Sequence, residues 1–207
     1  MTQPGEATMT VGKFLWGAIP LVLVLVGARL SLPGAETTPG ASVGVSLPVE
    51  TVADYVHAVI QADREFYTRH VVERMQSKGI VVASENWAEK NTLPLPAQFL
   101  MESGRLIAKK GIGIRYRLIS LWPINKRNAA ATEFEQAGLA EVITQPNRPY
   151  VGFVEDGGSR YFETVYADLA VTQACIGCHN AHPDSPKRDF KINDVMGGIL
   201  ITIPLSQ

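Results

Sequence analysis

The stretch ACIGCHNAHPDSPKRDFKINDVMGGILITIP, residues 174–204, decides how this 207-residue chain is read. It holds both cysteines of the chain, Cys175 and Cys178, three positions apart and followed at once by His179. Two thiols exclude a disulfide-rich scaffold and any four-cysteine zinc or iron–sulfur site within one chain. Cys-Ile-Gly-Cys-His is instead the c-type haem attachment signal. Two thiols add across the two vinyl groups of one porphyrin, and the adjacent histidine reaches the iron as proximal ligand. A redox-active cysteine pair would need a βαβ context, which the surrounding pattern lacks. A zinc site would need two further ligands, and besides His179 the chain offers only His57, His70 and His182. The expected cofactor is one covalent haem c on Cys175 and Cys178, its iron on His179. The tail of the stretch, Val195 to Pro204, is an apolar strand whose Gly197 and Gly198 let another backbone come close.

Outward from this segment the hydrophobic period changes several times. From Thr51, with Asp54 as an approximate capping box, to about Gln76, apolar residues recur at helical spacing and Gly79 ends the run. A second helix is expected from about Pro96 to Lys109, with Gly111 as its stop. Gly111 to Ser120 alternates Ile112, Ile114, Tyr116 and Leu118 with Gly113, Arg115 and Arg117, a half-buried strand. Ala130 to Val142 is helical again, with Phe134, Leu139 and Val142 facing inward. PYVGFVE and SRYFETVYADLAV flank Asp156-Gly157-Gly158, the residue types a tight hairpin turn requires. Helix, helix, strand, helix, hairpin, cysteine segment and strand make an α+β domain: an antiparallel sheet with flanking helices.

Residues 14–32 form a largely apolar run of 19 residues interrupted only by Arg29, about 28 Å of helix and just enough to cross a bilayer core. An uncleaved signal anchor (1–32) is the leading reading. A cleaved signal peptide ending near Val26-Gly27-Ala28 competes with it, and a buried helix is the third. Residues 33–49 are rich in Pro, Gly, Ser and Thr and read as a flexible linker. Residues 50–207 then form one extracytoplasmic domain, placed in the periplasm on a single-pass anchor in the inner membrane. Nineteen basic against twenty acidic residues argue against a nucleic-acid partner, which would require a basic surplus.

The stretch from Ala174, together with RLISLWPINKRN and TEFEQAGL upstream, resembles the single-haem c-type PAS-like domains. Those serve as periplasmic modules of bacterial sensor kinases and chemoreceptors, with stand-alone cyanobacterial relatives. The likeness runs from about Val52 to Pro204. It implies a five-stranded antiparallel PAS-like sheet with one haem c held against it. Stand-alone members of that family can place a distal cysteine on the first long helix, but no third cysteine exists here. His70, in YTRHVVERM, is the leading candidate for sixth ligand, because Phe66, Tyr67 and Val59 lie on roughly the same helical face. Met75 follows, then His57, Met101 and His182, or an open iron; the bland reading of His70 is a surface histidine. Arg115, Arg117, Lys126, Arg127 and Lys187 are candidate propionate partners or plain solvent-face charges. Glu135, Asp189 and Asp194 are left between support of the site and surface. Trp87 and Trp122 read as packing.

These features point to a membrane-anchored extracytoplasmic monohaem c-type cytochrome that passes electrons to or from a partner protein or serves as a redox subunit of a larger complex. The alternative is a haem-based redox or gas sensor. With no transmitter segment before Gln207, such a sensor would signal through another protein. No nucleophile constellation, second metal site or nucleotide motif argues for an enzyme.

Overall fold

The structure, a computed structural model, describes residues 46–205. The expected membrane segment and most of the linker lie outside them. Among the described residues no helix is long and apolar enough to cross a membrane.

Helix α1 (Val49–Phe66) starts directly after Pro48, whose fixed φ and extended ψ (−56° and 140°) set the chain's entry. The expected capping box at Thr51 does not form. Asp54 lies within the helix and accepts a hydrogen bond from the Tyr166 hydroxyl at 2.7 Å. The helical path widens into a π-helical stretch, Tyr67–Glu73, and returns to α geometry in α2 (Arg74–Ser77). Gly79, at φ +65°, ends it, as the sequence led us to expect. Two two-residue strands, β1 (Ala83–Ser84) and β2 (Leu93–Pro94), pair in parallel around the single turn α3 (Trp87–Lys90). Helix α4 (Pro96–Ala108) follows, with Pro96 at its first position and the Gln98 side chain accepting from the Leu95 N–H at 3.0 Å.

The main sheet has the order β3–β6–β5–β4, antiparallel throughout. Its strands are β3 (Arg115–Ile119), β4 (Tyr150–Asp156), β5 (Ser159–Leu169) and β6 (Val195–Pro204). Among the described residues four strands form this sheet where the resemblance implied five. β3 is shorter than its alternating pattern suggested, because Gly111 and Gly113 adopt φ +66° and +87° and Ile112 is exposed. The β4–β5 hairpin turns at Gly157 and Gly158, both at positive φ, as expected from the sequence.

Helices cover both faces. Ala53 and Ile60 of α1 and Leu100 of α4 pack with Phe162, Tyr166, Ile199 and Ile201 on one face. On the other, Leu139 and Val142 of α5 (Glu133–Thr144) pack with Ile119, Val165 and Leu200. β6 is therefore buried along its length up to Pro204, which explains why it is apolar without alternation. A Cβ on Gly198 would lie 2.7 Å from Val165 Cγ1, and one on Gly197 would overlap the Ile119 carbonyl oxygen. The close approach anticipated at this glycine pair is real. The last helix, α6 (Gln173–Ala181), leaves the end of β5 and carries the cysteine motif.

Candidate functional site

Thr172 starts α6. Its hydroxyl accepts from the Cys175 N–H at 3.4 Å and its extended backbone turns the chain into the helix. Cys175, Cys178 and His179 stand at positions i, i+3 and i+4, which places all three on one face. Both thiols are free, Cys175 half-buried and Cys178 exposed. Gly177 lies on the opposite side of the helix, where an added Cβ would meet nothing within 4 Å. Desolvation pushes the Cys178 thiol up, reinforced by Glu85 and Cys175. That is opposite to the lowered thiolate of a redox-active cysteine pair.

His179 is the better-built member of the set. Burial holds its pKa below the usual histidine value, with Arg64 and His182 acting in the same sense and Asp168 opposing them. The imidazole is thus neutral at pH 7, the form that binds a metal. Its Nδ1 is buried without a hydrogen-bond partner. Its ring meets Phe190 edge-on at 5.9 Å. Phe190 is fixed in turn by Asn180, whose side chain donates to the Phe190 carbonyl at 2.9 Å and accepts from its N–H at 3.0 Å. Ala170, Phe190 and Met196 form a small core against which Trp122, Cys175 and Ile176 pack. Trp122 is packing, as its sequence context suggested.

Two charged residues that sequence reasoning missed stand beside His179. Arg64 of α1 forms an ion pair with Asp168 of β5, the two side chains 14% and 6% exposed. A register shift between Asp168 and Leu169 breaks the β5 ladder there, re-aiming the strand end as bulges do. Both residues left a signal in the sequence. Arg64 falls on the helical stripe of Ala53, His57 and Ile60, and Asp168 interrupts an apolar strand run.

The distal candidates are distributed differently. His70 lies on the π-helical stretch, exposed, its ring 4.9 Å from Phe66. Phe66 and Val59 are each 62% exposed, so the outward apolar face expected there exists. Tyr67 is not part of it: the ring stacks on Phe99 and the hydroxyl donates to the Pro94 carbonyl at 2.7 Å. Among the described residues no hydrogen bond, ion pair or ring contact joins His70 to α6. His182 has both nitrogens engaged, Nδ1 by the Asp184 N–H at 3.1 Å and Nε2 by Glu85 at 3.4 Å. His57 stacks on Tyr166 with centroids 3.8 Å apart, and its Nε2 is buried and unpartnered. Met75 and Met101 are half-buried.

Of the remaining charges, Glu135 is buried, pairs with Arg117 and accepts from the Ala131 N–H. It ties α5 to the sheet. Asp189 pairs with Lys187, whose ammonium lies over the rings of Phe190 and Trp122. Asp194 accepts from the Lys191 N–H.

Two free thiols and a neutral histidine on one helix face match the donor set of a covalently held haem in number, type and spacing. Among the described residues no three His, Cys, Asp or Glu side chains converge as ligands for a bare metal ion. The fold and site define an α+β domain built around a sheet-flanking helix that carries a thiol pair and a histidine. The Tll0287-like family model (Tll0287) matches residues 45–204, and the chain belongs to that family. Among solved structures, the crystal structure of the cyanobacterial heme-protein Tll0287 is similar at a TM-score of 0.48 and 16% identity, covering 78% of this chain and 99% of that one. No curated protein matches the sequence.

Proposed function

We propose that this domain carries one covalently attached haem c and acts as a membrane-anchored, extracytoplasmic electron-transfer module, a carrier and not an enzyme. The observation that carries the proposal is the shared face of α6, on which two free thiols and His179 stand at positions i, i+3 and i+4. The description of a related solved structure as a heme-protein supports it. Cys175 and Cys178 would hold the group through thioether bonds, and His179 would supply the histidine ligand to the iron. When bound, haem supplies a one-electron couple whose potential depends on axial ligands and burial. Phe190 and Asn180 fix the orientation of the His179 ring, and the Arg64–Asp168 pair sets the charge beside it. His70 is the distal ligand in this proposal. Residues 14–32 anchor the chain in the inner membrane, with residues 50–207 in the periplasm as a PAS-like module facing a redox partner protein.

A redox-titrated optical and paramagnetic-resonance spectrum with a carbon monoxide challenge tests the role. A low-spin iron in both oxidation states that ignores carbon monoxide is expected of an electron carrier. Rapid carbon monoxide binding supports the sensing alternative, in which the module signals through its partner. His70→Ala converts the ferric spectrum towards high spin if His70 is the sixth ligand. An unchanged low-spin spectrum rejects that assignment and moves the search to Met75 and His57.

A further inference from the structure

Beside the first turn of α5 the sheet bears an open cavity of about 490 Å³, to whose wall α5 contributes only Glu135. Strand register builds its floor. Arg115 of β3 and Glu163 of β5 are both paired with Thr202 of β6, so the three form one row across adjacent strands on one face. Both charged side chains lean towards the middle of that row. The Thr202 hydroxyl donates to Glu163 Oε1 at 3.0 Å. The Arg115 guanidinium reaches across β6 to lie 5.2 Å from the Tyr161 ring centroid.

The other charges of the cavity are engaged. Arg117 pairs with Glu135 and Arg105 with Glu102. Arg115 and Glu163, by contrast, reach no oppositely charged group within ion-pair distance among the described residues, although they share one row. Half-burial raises the Glu163 carboxyl above the usual range; the Thr202 bond and the more distant charges of Arg115 and Arg117 oppose that shift and Glu135 reinforces it. Met101 and Leu200 add apolar wall. An arginine fork and a carboxylate that face one cavity without closing into an ion pair, beside an apolar wall, are complementary to a ligand carrying both charges and a side group, which would bridge them.

We propose that this cavity is a second ligand site for a small zwitterion of the α-amino-acid class, its carboxylate on Arg115, its ammonium on Glu163 and its side group against Met101 and Leu200. The site is separate from the cysteine helix. Thr202 lies six residues along β6 from Met196, which belongs to the cluster that Cys175 packs against; this is roughly 20 Å at about 3.3 Å per residue. The inference does not depend on the haem reading.

Isothermal titration of the purified full chain with each of the common free L-amino acids tests it, with the matching amines and deaminated acids as controls. At least one amino acid is expected to bind with one-to-one stoichiometry and its single-charge controls at least tenfold more weakly. Arg115→Gln and Glu163→Gln should each weaken binding at least tenfold while circular dichroism and melting stay at the parent values. Absence of heat with every amino acid at millimolar concentration overturns the proposal. So does binding that survives both substitutions, or a ligand that responds to Arg115→Gln but not to Glu163→Gln.

Discussion

Arg64 and Asp168 bury opposite charges beside His179, and the consequence of separating them follows from their low exposure. Removing one partner leaves the other desolvated and unpaired, which costs about 3–5 kcal/mol, whereas replacing both with apolar groups costs far less. Asp168→Ala should therefore lower unfolding free energy by about 3 kcal/mol in urea titrations. The double substitution Arg64→Met with Asp168→Leu should recover most of that loss, and a double variant as unstable as the single one would count against the buried pair. His57 gives a second prediction at this scale. Burial lowers its pKa to about 4, with Asp54 opposing. The unfolded chain binds this proton near the ordinary histidine value of 6.5. Between the two values the unfolded state holds more proton, so stability rises with pH through that window and is lost as pH falls through it. The contribution is complete above the unfolded value. His57→Phe, which preserves the stack on Tyr166, should flatten this part of the stability–pH curve measured by denaturant titration. An unchanged slope would show that His57 is not the titrating group.

At the scale of elements, the sequence was legible wherever one signal spanned a whole segment. The Asp156-Gly157-Gly158 turn, the apolar β6 and the Pro96 helix stand where their residues placed them. The π-helical widening at Tyr67–Glu73 was not legible, since hydrophobic spacing tolerates a change of phase without marking it. It turns Tyr67 and Thr68 inward while His70 stays out. The pair β1–β2 is two residues per strand, too short for any alternation to register. In the candidate site, Cys175, Cys178 and His179 are proposed from spacing, and their common helix face follows from that spacing, but Arg64 and Asp168 become partners only through a contact 104 residues apart in the chain. Gly197 tests the packing of β6 directly. Gly197→Ala forces a methyl into the Ile119 carbonyl oxygen, and overpacking of this kind costs about 2 kcal/mol. A fall in thermal midpoint is expected, and a midpoint equal to the parent's would contradict the observed approach of β3 to β6.

The whole molecule arranges its chemistry along one strand. β6 runs from the cluster under the cysteine helix, at Met196, to the row of Arg115, Thr202 and Glu163 near its far end. Helices on both faces bury everything between, so the scaffold holding α6 is a packed core and not a loop. Such rigidity suits the proposed electron-transfer role, in which His179 would keep one orientation while the iron changes oxidation state. The proposed role depends first on covalent attachment of haem to Cys175 and Cys178. The most direct measurement is the intact mass and haem stain of the full chain after denaturation, when it has been produced with a c-type haem attachment system. A mass raised by one haem group is expected, surviving denaturing electrophoresis and vanishing in the Cys175→Ala, Cys178→Ala double variant. The mass of the bare polypeptide from the parent chain, or staining that persists in the double variant, would contradict it.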